Sequence, residues 1–563
     1  MSQEFPVNVV LCWHMHQPQY QDQITQEFSL PWTFLHAIKD YIDMAAVIED
    51  VPQARAVVNF TPVLLEQIEA YTQQFDAYFI DGIPFSETLL KGLSTHVISS
   101  DSNYRLDIAK QCIRANEKRL IQRFSAYRRL VYIAKEAVSQ PFRLDYLNEQ
   151  YFFDLLVWYH LVWLGETVRD KNPQIKYLLK KEQNYTFDDR KLLLEIMGGL
   201  VRQIIPRYRA LAKNGQVELS FTPDKHPILP LLIDFNSARE TISESPLPQE
   251  NYPGGIERAE AHITKGLALF EHYFNMTPTG CWPSEGSLCE TTLKLLGKHN
   301  IQWAASGGGV LDNSRKRAGN KSQCIHYPYT FDHANTACFF RDDNLSDLIG
   351  FTYSDWDATD AVNNLMHHIE NIRQACECKQ EIIVPIILDG ENCWEHYPNN
   401  GYPFLTALYQ KLSANPNIQL TTFTKYLEQH QERNHLSHLV PGSWVYGNFA
   451  TWIGDPAKNR GWDLLCAAKK AYDDAIMAGS LDATQQALAE HQLAICEGSD
   501  WFWWFGDYNP AEAVKDFDEL YRTHLRGLYK ILGLPSPDNL DQIISVGSGA
   551  PESSGVMRRS KEN

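Results

Sequence analysis

The segment Ile382-Ile383-Val384-Pro385-Ile386-Ile387-Leu388 is continuous in apolar, mostly β-branched residues, and it ends in Asp389-Gly390-Glu391-Asn392-Cys393-Trp394-Glu395-His396-Tyr397. A run with no polar alternation suits a strand covered on both faces, as in the parallel sheets of α/β proteins. In those folds the ligand crevice lies just beyond the carboxyl ends of the strands. Asp389 therefore falls where α/β enzymes place reactive groups, with aromatic surface directly behind it. Pro385 removes a ladder donor from the run, which argues for an edge position or a bulge.

The same punctuation recurs along the chain. Strand-like runs are predicted at Val7 to Trp13, Ala54 to Phe60, Val217 to Phe221, Thr279 to Trp282, Gln302 to Ala305, Ala337 to Arg341, Ile382 to Leu388 and Ile418 to Thr422. Helical periodicity falls at Trp32 to Ile48, Pro62 to Tyr71, Glu257 to Phe274 and Ala361 to Cys376. Repeated strand–helix units imply a parallel sheet, open or closed into a barrel. Residues 105–213 read as a helical insertion. After about residue 430 the strands stop, and Gly461 to Ala478, Leu481 to Glu497 and Ala511 to Leu532 read as three helices. The expected organisation is an α/β domain over 1–430, an α-helical C-terminal domain over 431–544 and a polar, Ser/Gly-rich disordered tail over 545–563.

Several functions are excluded on chemical grounds. A net charge of −18 lacks the basic footprint that nucleic acid requires. No apolar run is long enough to span a membrane, and the N-terminus lacks a basic region followed by an apolar core. The 11 cysteines are scattered and odd in number, which reads as reduced thiols of a cytoplasmic protein. Cys376 and Cys378 are too close for a zinc knuckle, and no second pair accompanies them. Aromatics make up 12% of the chain, with 14 Trp. Such richness fits either large cores or stacking platforms for the C–H faces of sugar rings.

Five further stretches could carry chemistry. Trp13-His14-Met15-His16-Gln17-Pro18 closes the first strand, where residues i and i+2 share a face, so His14 and His16 point the same way. They suit a metal pair, sugar hydroxyls or ordinary hydrogen bonding at a strand end. Trp282-Pro283-Ser284-Glu285-Gly286 presents one carboxylate between Pro and Gly at a strand tip. Phe340-Arg341-Asp342-Asp343 places charges at another strand end, where Arg341 could grip a carboxylate or form a structural ion pair. Trp444 to Asp455 and Asp500-Trp501-Phe502-Trp503-Trp504-Phe505 supply dense aromatic stretches. Glu285 and Asp389 together would provide the two carboxyls that glycoside cleavage needs, one protonating the leaving oxygen and one stabilising or attacking the developing oxocarbenium carbon.

With these residues in view, the chain resembles glycoside hydrolase family 57, retaining enzymes active on α-glucans. His14 to Pro18, Gly215 to Ser220, Trp282 to Gly286, Leu388 to Asn392 and Trp444 to Asp455 look like its five ordered regions. The resemblance implies an incomplete (β/α)7 barrel with a helical insertion, followed by an α-helical C-terminal domain. It implies Glu285 as nucleophile, Asp389 as general acid/base, no catalytic metal and no cofactor. Expected sugar-binding residues are His14, His16, Trp282, Arg341, Asp342, Glu391, Trp394, Trp444, Trp452, Asp455 and Trp503. The expected partner is an α-glucan such as starch, glycogen or a maltooligosaccharide, cleaved at α-1,4 bonds in the manner of an α-amylase, or also at α-1,6 bonds in the manner of an amylopullulanase. A 4-α-glucanotransferase or branching enzyme would use the same motifs. A metal-dependent α-mannosidase or polysaccharide deacetylase, and a non-catalytic glucan-binding protein, remain as alternatives of other classes.

Overall fold

The computed structural model describes residues 6–319, 324–332, 334–376 and 381–560. Cys378 and the start of the chain, to which two of the expectations above refer, lie outside them. The strands are β1 (Val7–Met15), β2 (Ala56–Phe60), β3 (Val217–Phe221), β4 (Gly280–Cys281), β5 (Trp303–Ser306), β6 (Tyr329–Phe331), β7 (Ala334–Phe340), β8 (Ile383–Asp389), β9 (Ile418–Leu420) and β10 (Asn434–Leu436). They form one sheet in the order β10-β6-β7-β5-β4-β3-β2-β1-β8, with β9 paired to the start of β1. From β7 through to β8 every neighbouring pair is parallel.

The two ends of this parallel set meet. The Asp342 N–H donates to the Pro385 carbonyl at 2.8 Å, and the Ile383 N–H to the His326 carbonyl at 3.0 Å. Arg341 Nε donates to the Ile387 carbonyl at 2.7 Å. The sheet is thus curled into an incomplete barrel, closed between β7 and β8 by a sparse seam rather than a ladder. This explains Pro385. Its carbonyl faces the seam, so the missing N–H is on that same side, away from β1, where no ladder needs it.

Alternation along the strands sets the interior. Val10 and Cys12 of β1, Trp303 and Ala305 of β5, Ala337 and Phe339 of β7, and Ile383 and Ile387 of β8 pack into one buried cluster with Val57 and Trp282. By the two-residue period of a strand, His14 continues the first of these rows and Asp389 the last. Both side chains are therefore carried to the mouth of the barrel, at the carboxyl ends of the strands.

Helices cover the outside. Between β2 and β3 lies a helical excursion that includes Ser125–Ser139, Glu149–Trp163 and the long Phe187–Lys213. The predicted helix from Trp32 to Ile48 is two helices, Trp32–Ile38 and Asp40–Asp50, broken at Lys39. There the buried ammonium pairs with Asp40 at 3.2 Å and lies 4.7 Å from the Trp163 ring. Beyond β10 come Pro456–Met477, Ala483–Cys496, the short Asp500–Trp504 and Ala511–Ile531. A buried ionic knot ties this helical region to the barrel. Glu497 receives Arg258 through Nε at 2.7 Å and Nη2 at 2.6 Å, and pairs with His262 at 2.7 Å. The Tyr252 hydroxyl donates to the same carboxylate. Among the described residues no helix is long and apolar enough to cross a membrane.

The tail expected to be disordered is instead packed, over the described part to Ser560. The Gly555 carbonyl accepts from Trp503 Nε1 at 2.9 Å, and Ser560 donates to Asp347 through N at 3.0 Å and Oγ at 2.8 Å. Arg558 lies 4.6 Å from the Trp503 ring and 4.5 Å from that of Tyr508. Composition suggested disorder because the segment has little to bury itself; its partners are acceptors and rings on other elements.

Candidate active site

The mouth of the barrel is lined first by three imidazoles. Asn59 at the end of β2 accepts from His14 Nδ1 at 2.7 Å, while its own amide donates to Ser220 of β3 at 3.1 Å. That fixes the His14 tautomer and leaves its Nε2 to accept from His226 Nε2 at 3.2 Å. His226 follows β3 in a left-handed conformation (φ 60°), and its Nδ1 meets the Ser499 hydroxyl at 2.9 Å. His16 Nε2 donates to Asp500 at 2.7 Å, Nδ1 faces Thr61 at 3.1 Å, and the ring stacks on His226 with centroids 3.7 Å apart. Burial and the neighbouring His16 hold His14 down at about 3, and the same effects push His226 well below the ordinary imidazole range. Both rings are neutral hydrogen-bonding groups, not counter-ions.

Glu285 sits on the tip after β4. Its backbone is left-handed (φ 56°, ψ 25°), a conformation costing about 1–2 kcal/mol for a residue with a Cβ. Gly286 follows at φ 59°, where a Cβ would meet the Trp282 ring at 2.8 Å. Trp444 compensates the strain: its backbone N–H donates to the Glu285 carbonyl at 3.0 Å and its indole Nε1 to Glu285 Oε2 at 2.8 Å. The other carboxylate oxygen lies 4.0 Å from His226 Nδ1.

Asp389 ends β8, directly beside His14 in the β1 register. Its Oδ2 accepts from Asn392 Nδ2 at 2.9 Å. Glu391, two residues on, is fully buried. Its Oε1 accepts from the His16 N–H at 3.0 Å, Gln17 Nε2 at 3.2 Å and the Tyr41 hydroxyl at 3.1 Å, and Oε2 has no protein partner.

Burial raises all three carboxyls. Glu285 is pushed up to about 8, first by burial and then by the charge of Asp389, against the Trp444 hydrogen bond. Asp389 rises to about 6 by burial, against the Asn392 bond and the charges of His16 and Arg341. Burial and then Asp389 hold Glu391 well above the carboxylate range. Glu285 and Asp389 therefore repel as like charges, and the pair retains one proton near neutrality.

Both face a cleft of about 580 Å³, and that cleft is where the expected residues part company. His14, His16, Glu285, Asp389, Glu391, Trp444 and Trp503 line it together. Trp282 does not: it is wholly buried beneath Trp444, with ring centroids 5.2 Å apart. Trp394 is buried against Trp13, and its Nε1 donates to the Gly390 carbonyl, so it braces the loop after Asp389 from behind. Trp452 is buried in the helical region beside Trp503. Arg341 is held by Asp343 at 3.0 Å and Asp347 at 2.9 Å, the structural ion pair rather than a sugar grip. Asp342 caps a short helix through the Leu345 N–H and pairs with His326, and Asp455 caps the helix Pro456–Met477. These six are corrections to the expected binding set: their polar atoms are satisfied, or their rings covered, by protein.

Other lining residues carried no such expectation. Asn392 and Asp500 lie in quoted motifs, and their positions beside Asp389 and His16 are set by the fold. Trp32 and Trp163 come from helices outside the barrel, and Trp504 stacks on Phe517 at 4.9 Å beside Trp503. Nothing local in sequence marks the first two.

His16, His226 and Asp500 offer donor atoms within 4.8 Å of one another, so a metal has to be considered. The His16 and His226 rings are stacked 22° from parallel, so their in-plane lone pairs run side by side instead of converging. Both nitrogens of each ring already meet a protein partner. The arrangement is a hydrogen-bonded wall, and it counts against a metal-dependent sugar enzyme.

Residues 10–438 match the family described as Glycosyl hydrolase family 57. No curated protein matches the chain. Among solved structures, it is similar to the GH57-type branching enzyme of Pyrococcus horikoshii, at 16% identity and TM-score 0.56 over 99% of this chain and 100% of that one. It is also similar to an alpha-amylase of Thermotoga maritima, at 13% identity and TM-score 0.56 over 95% and 96%. A GH57 branching enzyme of Thermococcus kodakaraensis, crystallised with glucose and additives, gives 16% identity and TM-score 0.55 over 93% and 88%. At these identities the likeness is one of fold.

Proposed function

The chain belongs to glycosyl hydrolase family 57, and on that premise we propose that it is a retaining α-glucan hydrolase of the α-amylase type, acting on α-1,4 bonds. The observation that carries the proposal is the placement of Glu285 and Asp389 on one aromatic-lined cleft at the carboxyl ends of β4 and β8. Glu285 attacks the anomeric carbon, forming a glycosyl ester, while Asp389 protonates the departing oxygen. Asp389 then takes a proton from the water that releases the sugar.

The proton balance supports this division only in the bound state. With the cleft empty, Glu285 is the more basic of the two, whereas attack needs it ionised. A glycosidic oxygen placed against Asp389 accepts a hydrogen bond only from the protonated acid. Substrate therefore favours the arrangement with the shared proton on Asp389 and the charge on Glu285, where the Trp444 indole N–H meets it.

Transfer to a sugar hydroxyl is the second reading, supported by the Trp503 and Trp504 rings that line the cleft, which would hold an acceptor ring beside the ester. Product analysis on maltoheptaose, amylose and pullulan separates the two. Shorter oligosaccharides alone support hydrolysis; oligosaccharides longer than the substrate, or new branch points, support transfer; maltotriose from pullulan marks α-1,6 cleavage. Absence of any product would remove the enzymatic reading. We place the enzyme in the cytoplasm, on the strength of its scattered thiols.

A further inference from the structure

At the seam between β7 and β8, on the far side of Asp342 from the cleft, three ligating side chains come together from distant parts of the chain. Cys324 and His326 precede β6, and Cys376 caps the helix Ala358–Ala375 that leads to β8. Cys324 Sγ lies 3.1 Å from Cys376 Sγ and 3.4 Å from His326 Nδ1, and all three donor atoms lie within 4.8 Å of one another. None of the three lines the cleft.

We propose that Cys324, His326 and Cys376 supply three ligands of a tetrahedral zinc site, with water in the fourth position, that clasps the open seam of the barrel. Three features beyond proximity support it. First, the other nitrogen of His326 is committed: Nε2 donates to Asp342 Oδ2 at 2.9 Å, which turns Nδ1 toward the sulfurs. A histidine held by a carboxylate on its far side is the usual outer support of a zinc-bound imidazole. Secondly, the backbone N–H of His326 points back at Cys324 Sγ at 3.5 Å, a donor placed to stabilise thiolate charge. Thirdly, a tetrahedral zinc with Zn–S about 2.3 Å and Zn–N about 2.0 Å holds its donors roughly 3.5 Å apart, so the Cys324–His326 pair is already at that spacing and the two sulfurs need to part by only about half an ångström.

The sequence spacing that argued against zinc considered Cys376 only with its near neighbour. The second element is Cys-x-His, 52 residues earlier, and the fold brings it alongside. Binding would release two protons from the Cys324–His326–Cys376 set to solvent, leaving two thiolates and a neutral imidazole around the cation. Its consequence is mechanical. The His326 carbonyl receives the Ile383 N–H, and Asp342 donates to Pro385, so a metal here would fix both strands that end beside the catalytic mouth.

The test is metal analysis of the full-length protein, purified without chelator, beside the Cys324→Ser/Cys376→Ser double variant. The expected result is about one zinc per wild-type chain and loss of most of it in the variant. Stripped wild-type protein should gain thermal stability on adding zinc, and the variant should not. Should the variant fail to fold, cobalt substituted into the wild type gives a second readout: thiolate-to-metal charge-transfer bands are expected. Equal zinc in both proteins, a cobalt spectrum without sulfur ligation, or a Cys324–Cys376 disulfide in non-reducing peptide mapping would overturn the proposal. Each outcome is independent of whether Glu285 is a nucleophile.

Discussion

Trp444 binds Glu285 twice, through its backbone N–H to the carbonyl and through its indole N–H to the carboxylate. One residue thus holds a left-handed, strained tip in place and supplies the hydrogen bond that favours its ionised form. Replacing the indole by Phe keeps the ring and the backbone bond but deletes that donor. A hydrogen bond to a charged group is worth about 1.5–3 kcal/mol, so Trp444→Phe should lower kcat/KM by roughly 10- to 100-fold. It should also move the upper limb of the pH profile to higher pH, because Glu285 becomes easier to protonate. An unchanged upper limb would mean that the bond has no part in ionising Glu285.

The pair sets the pH window of activity. Chemistry needs one proton on Glu285 and Asp389 together, so kcat/KM should be bell-shaped, with limbs near the values of about 6 and about 8 to which burial raises Asp389 and Glu285. Asp389→Asn removes a charge that raises Glu285, so in that variant Glu285 should titrate at lower pH, followed by carbon NMR of labelled glutamate. A Glu285 titration indifferent to Asp389 would show that the two do not share a site.

Stability should depend on the knot around Glu497. Burial alone would raise this carboxyl, but Arg258 and His262 outweigh it and hold Glu497 well below the usual range. A depressed folded value stabilises the protein at pH above the unfolded carboxyl value of about 4.3 and loses that contribution as pH falls below it. Glu497→Gln leaves Arg258 short of its buried counter-charge and should cost about 3–5 kcal/mol at pH 7 by urea unfolding. The gap between variant and wild type should narrow as the pH is taken toward 3. A gap independent of pH would rule out an ionic origin.

The packed tail bears on binding. Arg558 packs on the ring of Trp503, which lines the cleft, a cation–π contact worth about 0.5–2 kcal/mol. Arg558→Ala should raise KM for long glucans several-fold with a smaller change in kcat, measured on amylose against maltotriose. Equal losses on both substrates would place the effect at the carboxylates instead.

Much of the site was legible because a carboxylate following an apolar strand, flanked by Gly or Pro, announces itself locally. Glu285 and Asp389 were found that way, as was the run of parallel strands with its edge proline. The strands β6 and β10, three residues each, were too short to carry a period. The tryptophans were harder, since whether Trp394 meets sugar or Trp13 is decided by what folds over it. Pairings such as His16 with Asp500, 484 residues apart, and His326 with Cys376 leave no local trace. Ser/Gly composition likewise misjudged the tail, because its partners Trp503 and Asp347 lie on other elements.

The central claim is that Glu285 carries the sugar. Incubation with a slowly released 5-fluoroglucosyl fluoride, followed by peptide mass spectrometry, tests it most directly. The expected result is one fluoroglucosyl adduct on the peptide containing Glu285, absent from Glu285→Gln. An adduct on Asp389, or steady turnover with inverted product and no adduct, would contradict it.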